Sequence, residues 1–215
     1  MSAIARSSAN NITTAGVFTA DAITNASVTG ITVLANAEDG ITLISSQTAS
    51  NSASISFTSG LDSTYKAYKF VLSNIQPRTN NVNFTFNLST DTGSNYNVTK
   101  TSTAFVTYHR EADDDAGLSY DGGFDLAQNT SFQPLCWYTG SDADQANSGS
   151  LELYNPSSTT YVKHFISRIS VTAENDQSVC AFVAGYGNTT SAINAIRFQM
   201  SSGNFDGKIY LYGIK

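Results

Sequence analysis

From Gly40 onward, apolar and polar residues alternate with a period of two, the spacing that sends successive side chains to opposite faces of a half-buried strand. Ile41, Leu43 and Ser45 alternate with Thr42 and Ile44, and Ala53, Ile55 and Phe57 alternate with Ser54, Ser56 and Thr58. The two runs predict neighbouring strands. Tyr68, Phe70 and Leu72 mark a third strand, and Val82, Phe84, Phe86 and Leu88, set against Asn83, Thr85, Asn87 and Ser89, mark the most regular one in the chain. Between them, residues 74–80 have turn chemistry, and Pro77 has no N–H for a ladder, so this pair predicts a hairpin.

A turn at residues 91–95 precedes an expected strand over 96–108, and residues 111–123 read as the longest loop. Further strands are expected near 131–138, 150–155, 161–171, 179–186, 193–200 and 208–213, each bounded by Gly, Asn, Asp or Pro. About ten short strands at this spacing predict an all-β fold: an antiparallel two-sheet sandwich, a jelly roll in its expected connectivity, with a closed barrel as the alternative. Residues 41–215 would form this head domain.

The first 40 residues differ. They are small, polar and β-branched, with apolar side chains only at intervals, among them Ile12, Val17, Phe18, Ile23, Val28 and Ile31. Such a segment cannot close a core alone. Its spacing suits an extended arm that wraps with other copies or lies on another protein, and a disordered leader is the alternative. A homotrimer assembled and attached through residues 1–40 is the expectation.

Composition narrows the partners. Charged residues are 13% of the chain and its formal net charge is -6. A phosphate-tracking surface needs a basic patch, so nucleic acid is not an expected partner. No apolar run approaches the length of a bilayer-crossing helix, and residues 1–11 lack the apolar stretch of a secretory signal, so membrane insertion is not expected and synthesis in the cytoplasm is. Cys136 and Cys180 are too few and too far apart for a disulfide framework or a CxxC metal site, and read as buried free thiols.

Catalytic chemistry finds little to stand on. His109 and His164 have no further ligand at metal spacing, and neither a GxSxG elbow nor a P-loop occurs. Paired carboxylates of a glycosidase are the sharpest enzymatic alternative, with Asp113, Asp114, Asp115, Asp121, Asp125, Asp142 and Asp144 in expected loops. Residues 142–149 resemble the start of a calcium loop but lack its glycine at the sixth position. No catalytic residue, metal or cofactor is therefore assigned. Aromatic residues are the stronger lead: Tyr120 in the long loop, and Trp137 and Tyr138 beside residues 140–149, are candidates to stack on sugar rings.

Several strings carry a resemblance. Ser59-Gly60-Leu61-Asp62-Ser63-Thr64-Tyr65, Ser94-Asn95-Tyr96-Asn97-Val98-Thr99, Asn155-Pro156-Ser157-Ser158-Thr159-Thr160 and the ending Lys208-Ile209-Tyr210-Leu211-Tyr212-Gly213-Ile214 resemble a family of tail-fibre-like virion proteins in phages of aquatic bacteria. The resemblance covers most of the chain from about residue 40. It implies a trimeric fibre at the virion surface, with a thin N-terminal attachment segment and a globular β head that meets the host. It carries no active site. The neutral polar surface that the composition predicts leaves host glycans as the expected target class. A capsid decoration (cement) protein anchored by the same arm is the second structural reading, and a carbohydrate-binding or carbohydrate-cleaving protein the third.

Overall fold

Period-two alternation becomes twelve antiparallel strands in the computed structural model of the chain, which describes residues 40–215. The strands are β1 (Ile41–Ser52), β2 (Ile55–Phe57), β3 (Ala67–Pro77), β4 (Val82–Ser89), β5 (Lys100–Arg110), β6 (Ala116–Tyr120), β7 (Gln133–Thr139), β8 (Asn147–Tyr154), β9 (Lys163–Thr172), β10 (Gln177–Gly187), β11 (Ala195–Met200) and β12 (Phe205–Ile214). Among the described residues no helix is long and apolar enough to cross a membrane. Ile12, Val17, Phe18, Ile23, Val28 and Ile31, and the arm expected around them, lie outside the described residues.

The strands form two sheets. One has eight strands in the order β1-β12-β3-β8-β9-β10-β5-β6, and the other has four in the order β2-β11-β4-β7. Four pairings explain this arrangement: β1 with β12, β2 with β11, β3 with β8, and β4 with β7. The chain runs out and back as one long antiparallel ribbon, whose successive strand pairs roll into alternate sheets. That is a jelly roll. Two hairpins are inserted into it. The β5–β6 hairpin lies between β4 and β7 in the chain, the β9–β10 hairpin between β8 and β11, and together they extend the larger sheet beyond β8.

The core lies between the sheets and is dominated by phenylalanine. Phe198 of β11 stacks on Phe84 of β4 at 5.8 Å and meets Phe70 of β3 at 5.3 Å, while Phe86 meets Phe165 of β9 edge-on at 5.1 Å. Each buried ring of this kind contributes about 1.5–3 kcal/mol. The inward positions of β4 and β9 are those marked by alternation: Phe84, Phe86, Leu88, Phe165 and Ile169 are all buried.

Four local expectations are corrected. β1 and β2 are not neighbours, because β1 pairs with β12 and β2 with β11 in the other sheet. β3 and β4 do not form a hairpin: Pro77 ends β3, and the chain then crosses from the eight-stranded to the four-stranded sheet. Residues 111–123 contain β6, an edge strand with almost no buried side chain, so it has no core face to impose alternation. The strand expected from residue 96 starts at Lys100 instead, since the Tyr96 carbonyl is taken by the Asn87 side chain at 2.7 Å.

Candidate functional site

Because the larger sheet overhangs the smaller, the inner faces of β5, β6 and β10 continue past β7 with no strand opposite them. A cleft of about 420 Å³ lies there. Val106, Tyr108 and Arg110 of β5, Ser119 of β6 and Val179 of β10 line one side. Trp137 and Tyr138 of β7 line the other, and Asn81, Asp121 and Glu174 stand at its margins. Its size and its mixture of aromatic and polar groups are those of a small-ligand site.

The β7 wall is held by unusual backbone. Tyr138 has φ +56°, in the left-handed region that a bulky side chain seldom adopts and that costs about 1–3 kcal/mol. Neighbouring bonds enforce it. The Tyr138 carbonyl accepts from the Glu174 N–H at 3.0 Å, Thr139 Oγ1 donates to the Val82 carbonyl at 2.8 Å, and Thr139 bridges to Ala173 of the β9–β10 turn. The smaller sheet is thereby tied to the larger one, and the Tyr138 ring is turned outward, half exposed.

Trp137 takes a different place. It is 3% exposed and stacked under Phe124 at 4.5 Å, and Phe124 also meets Tyr138 edge-on at 5.5 Å. Trp137 forms the floor of the cleft and offers little ring face to a ligand. Tyr120 is not in the cleft at all. It pairs with Phe105 on the outer face of the larger sheet, where its hydroxyl donates to the Asp125 carboxylate. Of the three aromatic candidates, the structure brings Trp137 and Tyr138 together and sets Tyr120 apart.

The acidic candidates separate in the same way. Asp115 and Asp121 reach the cleft. Asp113 lies 2.9 Å from His109 Nε2 and Asp114 accepts from Arg110 at 3.3 Å, both near the tip of the β5–β6 hairpin. Asp142 belongs to a turn closed by its bonds with the buried Gln145. No group of three or more potential metal ligands occurs among the described residues. Cys136 and Cys180 are free thiols, with Cys136 buried and Cys180 half-buried; burial pushes the Cys136 thiol up to about 12, which keeps it protonated and unreactive.

Arg110, Tyr108, Glu174 and Gln177 complete the cleft and were not singled out from the sequence as its walls. Tyr108 fills the space left by the absent side chain of Gly117, where an added Cβ would lie 2.8 Å from its hydroxyl. Asp115 accepts from Gln177 Nε2 at 3.0 Å and lies 3.6 Å from the Arg110 guanidinium. Arg110 Nε is buried and has no hydrogen-bond partner among the described residues, so a donor is left for a ligand oxygen. The ionised groups lining the cleft are Arg110 against Asp115, Asp121 and Glu174. The excess of carboxylates disfavours an anionic ligand.

No known protein family, curated protein or solved structure matches the chain.

Proposed function

We propose that this protein is a non-enzymatic structural component of a bacteriophage surface, a trimeric tail fibre, whose jelly-roll head holds part of a neutral or amino-sugar-bearing host glycan in the cleft beside β7. The observation that carries the binding role is the Tyr138 ring, turned into an open cleft by strained backbone and faced by Tyr108 and the unpartnered Arg110 Nε. An aromatic ring offers a face to the C–H groups of a sugar, and carboxylates and a guanidinium nitrogen bond its hydroxyls. Bulky residues held in the left-handed region cluster at functional sites, where the surrounding structure over-determines them. The jelly roll agrees with the reading, since this architecture serves both capsid proteins and lectins. The phage assignment rests on the sequence resemblance, and trimerisation on residues 1–40.

A glycan array probed with the full chain tests the binding role. Binding to neutral or amino-sugar oligosaccharides, weakened about tenfold or more in Tyr138→Ala, corresponds to about 1.4 kcal/mol or more and supports the reading. Binding to no glycan, or binding that Tyr138→Ala leaves unchanged, overturns it. Particle reconstruction tests the location: density at the tail supports a fibre, and density over the capsid lattice replaces the fibre with a decoration protein.

A further inference from the structure

One register row crosses the outer face of the hairpin extension. Arg168 of β9 lies opposite Phe182 of β10, Phe182 opposite Phe105 of β5, and Phe105 opposite Tyr120 of β6. Residues directly opposite in an antiparallel ladder share a face, so these four side chains stand side by side. Phe105 and Phe182 stack at 4.8 Å with their planes 7° apart, and Tyr120 holds the Asp125 carboxylate at the far end. The row therefore has a cation at one end, two stacked rings in the middle and an anion at the other. Arg168 makes no ion pair among the described residues.

The surroundings are apolar and open. Ile166 is 52% exposed, Leu118 71%, Tyr120 60% and Phe105 39%. A shallow groove of about 620 Å³, lined by Tyr154, His164, Ile166 and Tyr186, continues the same surface. Isolated exposed apolar residues are ordinary on a protein surface, but an adjoining set on one sheet face marks a contact surface.

We propose that this face pairs with the same face of a second copy of the chain, about a two-fold axis that sets Arg168 of each copy against Asp125 of the other. A two-fold interface must be complementary to its own reverse. The row meets that condition, because reversing it exchanges cation for anion and lays the Phe105–Phe182 stack on its equivalent. The charge of the whole chain makes the condition demanding. Two copies, each with a net charge of -6, repel over most of their surface, whereas along this row Arg168 and Asp125 balance. The size is that of a small interface. β5, β9 and β10, each about ten residues long, and the five-residue β6, about 4.8 Å apart, present roughly 600 Å², the small end of the roughly 600–1,000 Å² that each partner contributes to a stable interface. The cleft opens on the inner side of these strands and stays accessible in the pair, so the pairing does not rest on the glycan reading.

Light scattering on the full chain, coupled to size exclusion at micromolar concentration, tests the pairing. The expected mass is an even multiple of 22.9 kDa, whether as a simple dimer or as two arm-held trimers joined through their heads. Phe105→Arg and, separately, Arg168→Asp should halve it, and Arg168→Asp combined with Asp125→Arg should restore it. A wild-type mass of 22.9 kDa, or any odd multiple of it, overturns the proposal. An even multiple that neither single variant changes, with both folded by circular dichroism, also overturns it, and places the contact elsewhere. Failure of the charge exchange to restore the mass overturns the opposition of Arg168 and Asp125.

Discussion

Lys100 Nζ lies 2.5 Å from Asn87 Oδ1, and both side chains are fully buried where β5 of the larger sheet meets β4 of the smaller. Asn87 uses its whole bonding capacity. Its Oδ1 also accepts from the Leu88 N–H at 2.8 Å, and its Nδ2 donates to the Tyr96 and Thr130 carbonyls at 2.7 and 2.9 Å. Lys100 donates a second bond to the Val98 carbonyl at 2.8 Å. The two residues fasten the irregular segment before β5, and the one before β7, to β4, one of the two inner strands of the smaller sheet.

Removing either residue should have unequal effects. Asn87→Leu leaves the buried Lys100 Nζ, the buried Leu88 N–H and the partly buried Tyr96 and Thr130 carbonyls without their Asn87 partner, and is expected to cost about 3–5 kcal/mol. Lys100→Met removes the charge along with its desolvation penalty and should cost less than about 1 kcal/mol. Urea unfolding of both variants measures the difference, and equal losses would show that the Lys100–Asn87 contact does not carry the network.

Stability should also rise with pH because of Lys100. Burial lowers its ammonium from 10.5 to about 7, so between these values the unfolded chain binds a proton that the folded chain has released. The slope is positive and at most about 1.4 kcal/mol per pH unit. The rise is clearest below about pH 9, because above it the buried Cys136 thiol, pushed up from 9.0 to about 12, acts in the opposite direction. Unfolding free energies at pH about 7 and about 8.5 should diverge between the wild type and Lys100→Met. Parallel lines for the two proteins would exclude Lys100 as the source.

Tyr138 should separate binding from stability. Tyr138→Asn places a residue tolerant of the left-handed region at φ +56° but loses the edge contact with Phe124, so its stability should stay within about 1 kcal/mol of wild type. Sugar binding should fall all the same. Thermal melts and titration calorimetry on one preparation measure both. A stability loss of several kcal/mol would mean that the ring is a packing element and the backbone strain incidental.

Gly149 should tolerate no side chain. A Cβ there would lie 2.3 Å from the Arg168 carbonyl oxygen and 2.7 Å from Ile169 Cα, both backbone atoms of the neighbouring β9. Gly149→Ala is expected to cost at least about 2 kcal/mol. Gly40, with nothing within 4 Å of an added Cβ, is the control, and Gly40→Ala should change stability by less than about 0.5 kcal/mol. Denaturant midpoints compare the two, and similar values would show that β8 and β9 yield readily at this point.

Much of the fold was legible because alternation is a local property. The residues of β4 and β9 each carry their own inside and outside, and Phe84, Phe86, Phe165 and Ile169 point into the core as the period of two requires. Turn residues such as Pro77 mark where strands stop for equally local reasons. β6 was hidden for the same reason: it is an edge strand exposed on both sides, so nothing in the core selects its pattern.

The candidate site was legible only in part. Trp137 and Tyr138 were marked by residue type, but their opposite roles depend on Phe124, which covers one, and on the bonds from Thr139 and Glu174, which turn out the other. Residue type likewise marks Lys100 as a surface residue, and only the meeting of two sheets buries it.

By itself, the sequence determined the all-β class, most of the strands and the face on which most side chains lie, since each follows from neighbours along the chain. The tertiary structure decided for two open sheets over a closed barrel, which strands pair, that the larger sheet overhangs the smaller to open a cleft, and that Arg168, Phe182, Phe105 and Tyr120 form one row. Those features join segments far apart in sequence. The free energy that selects them comes from packing and hydrogen bonds between the segments, and no local pattern records it.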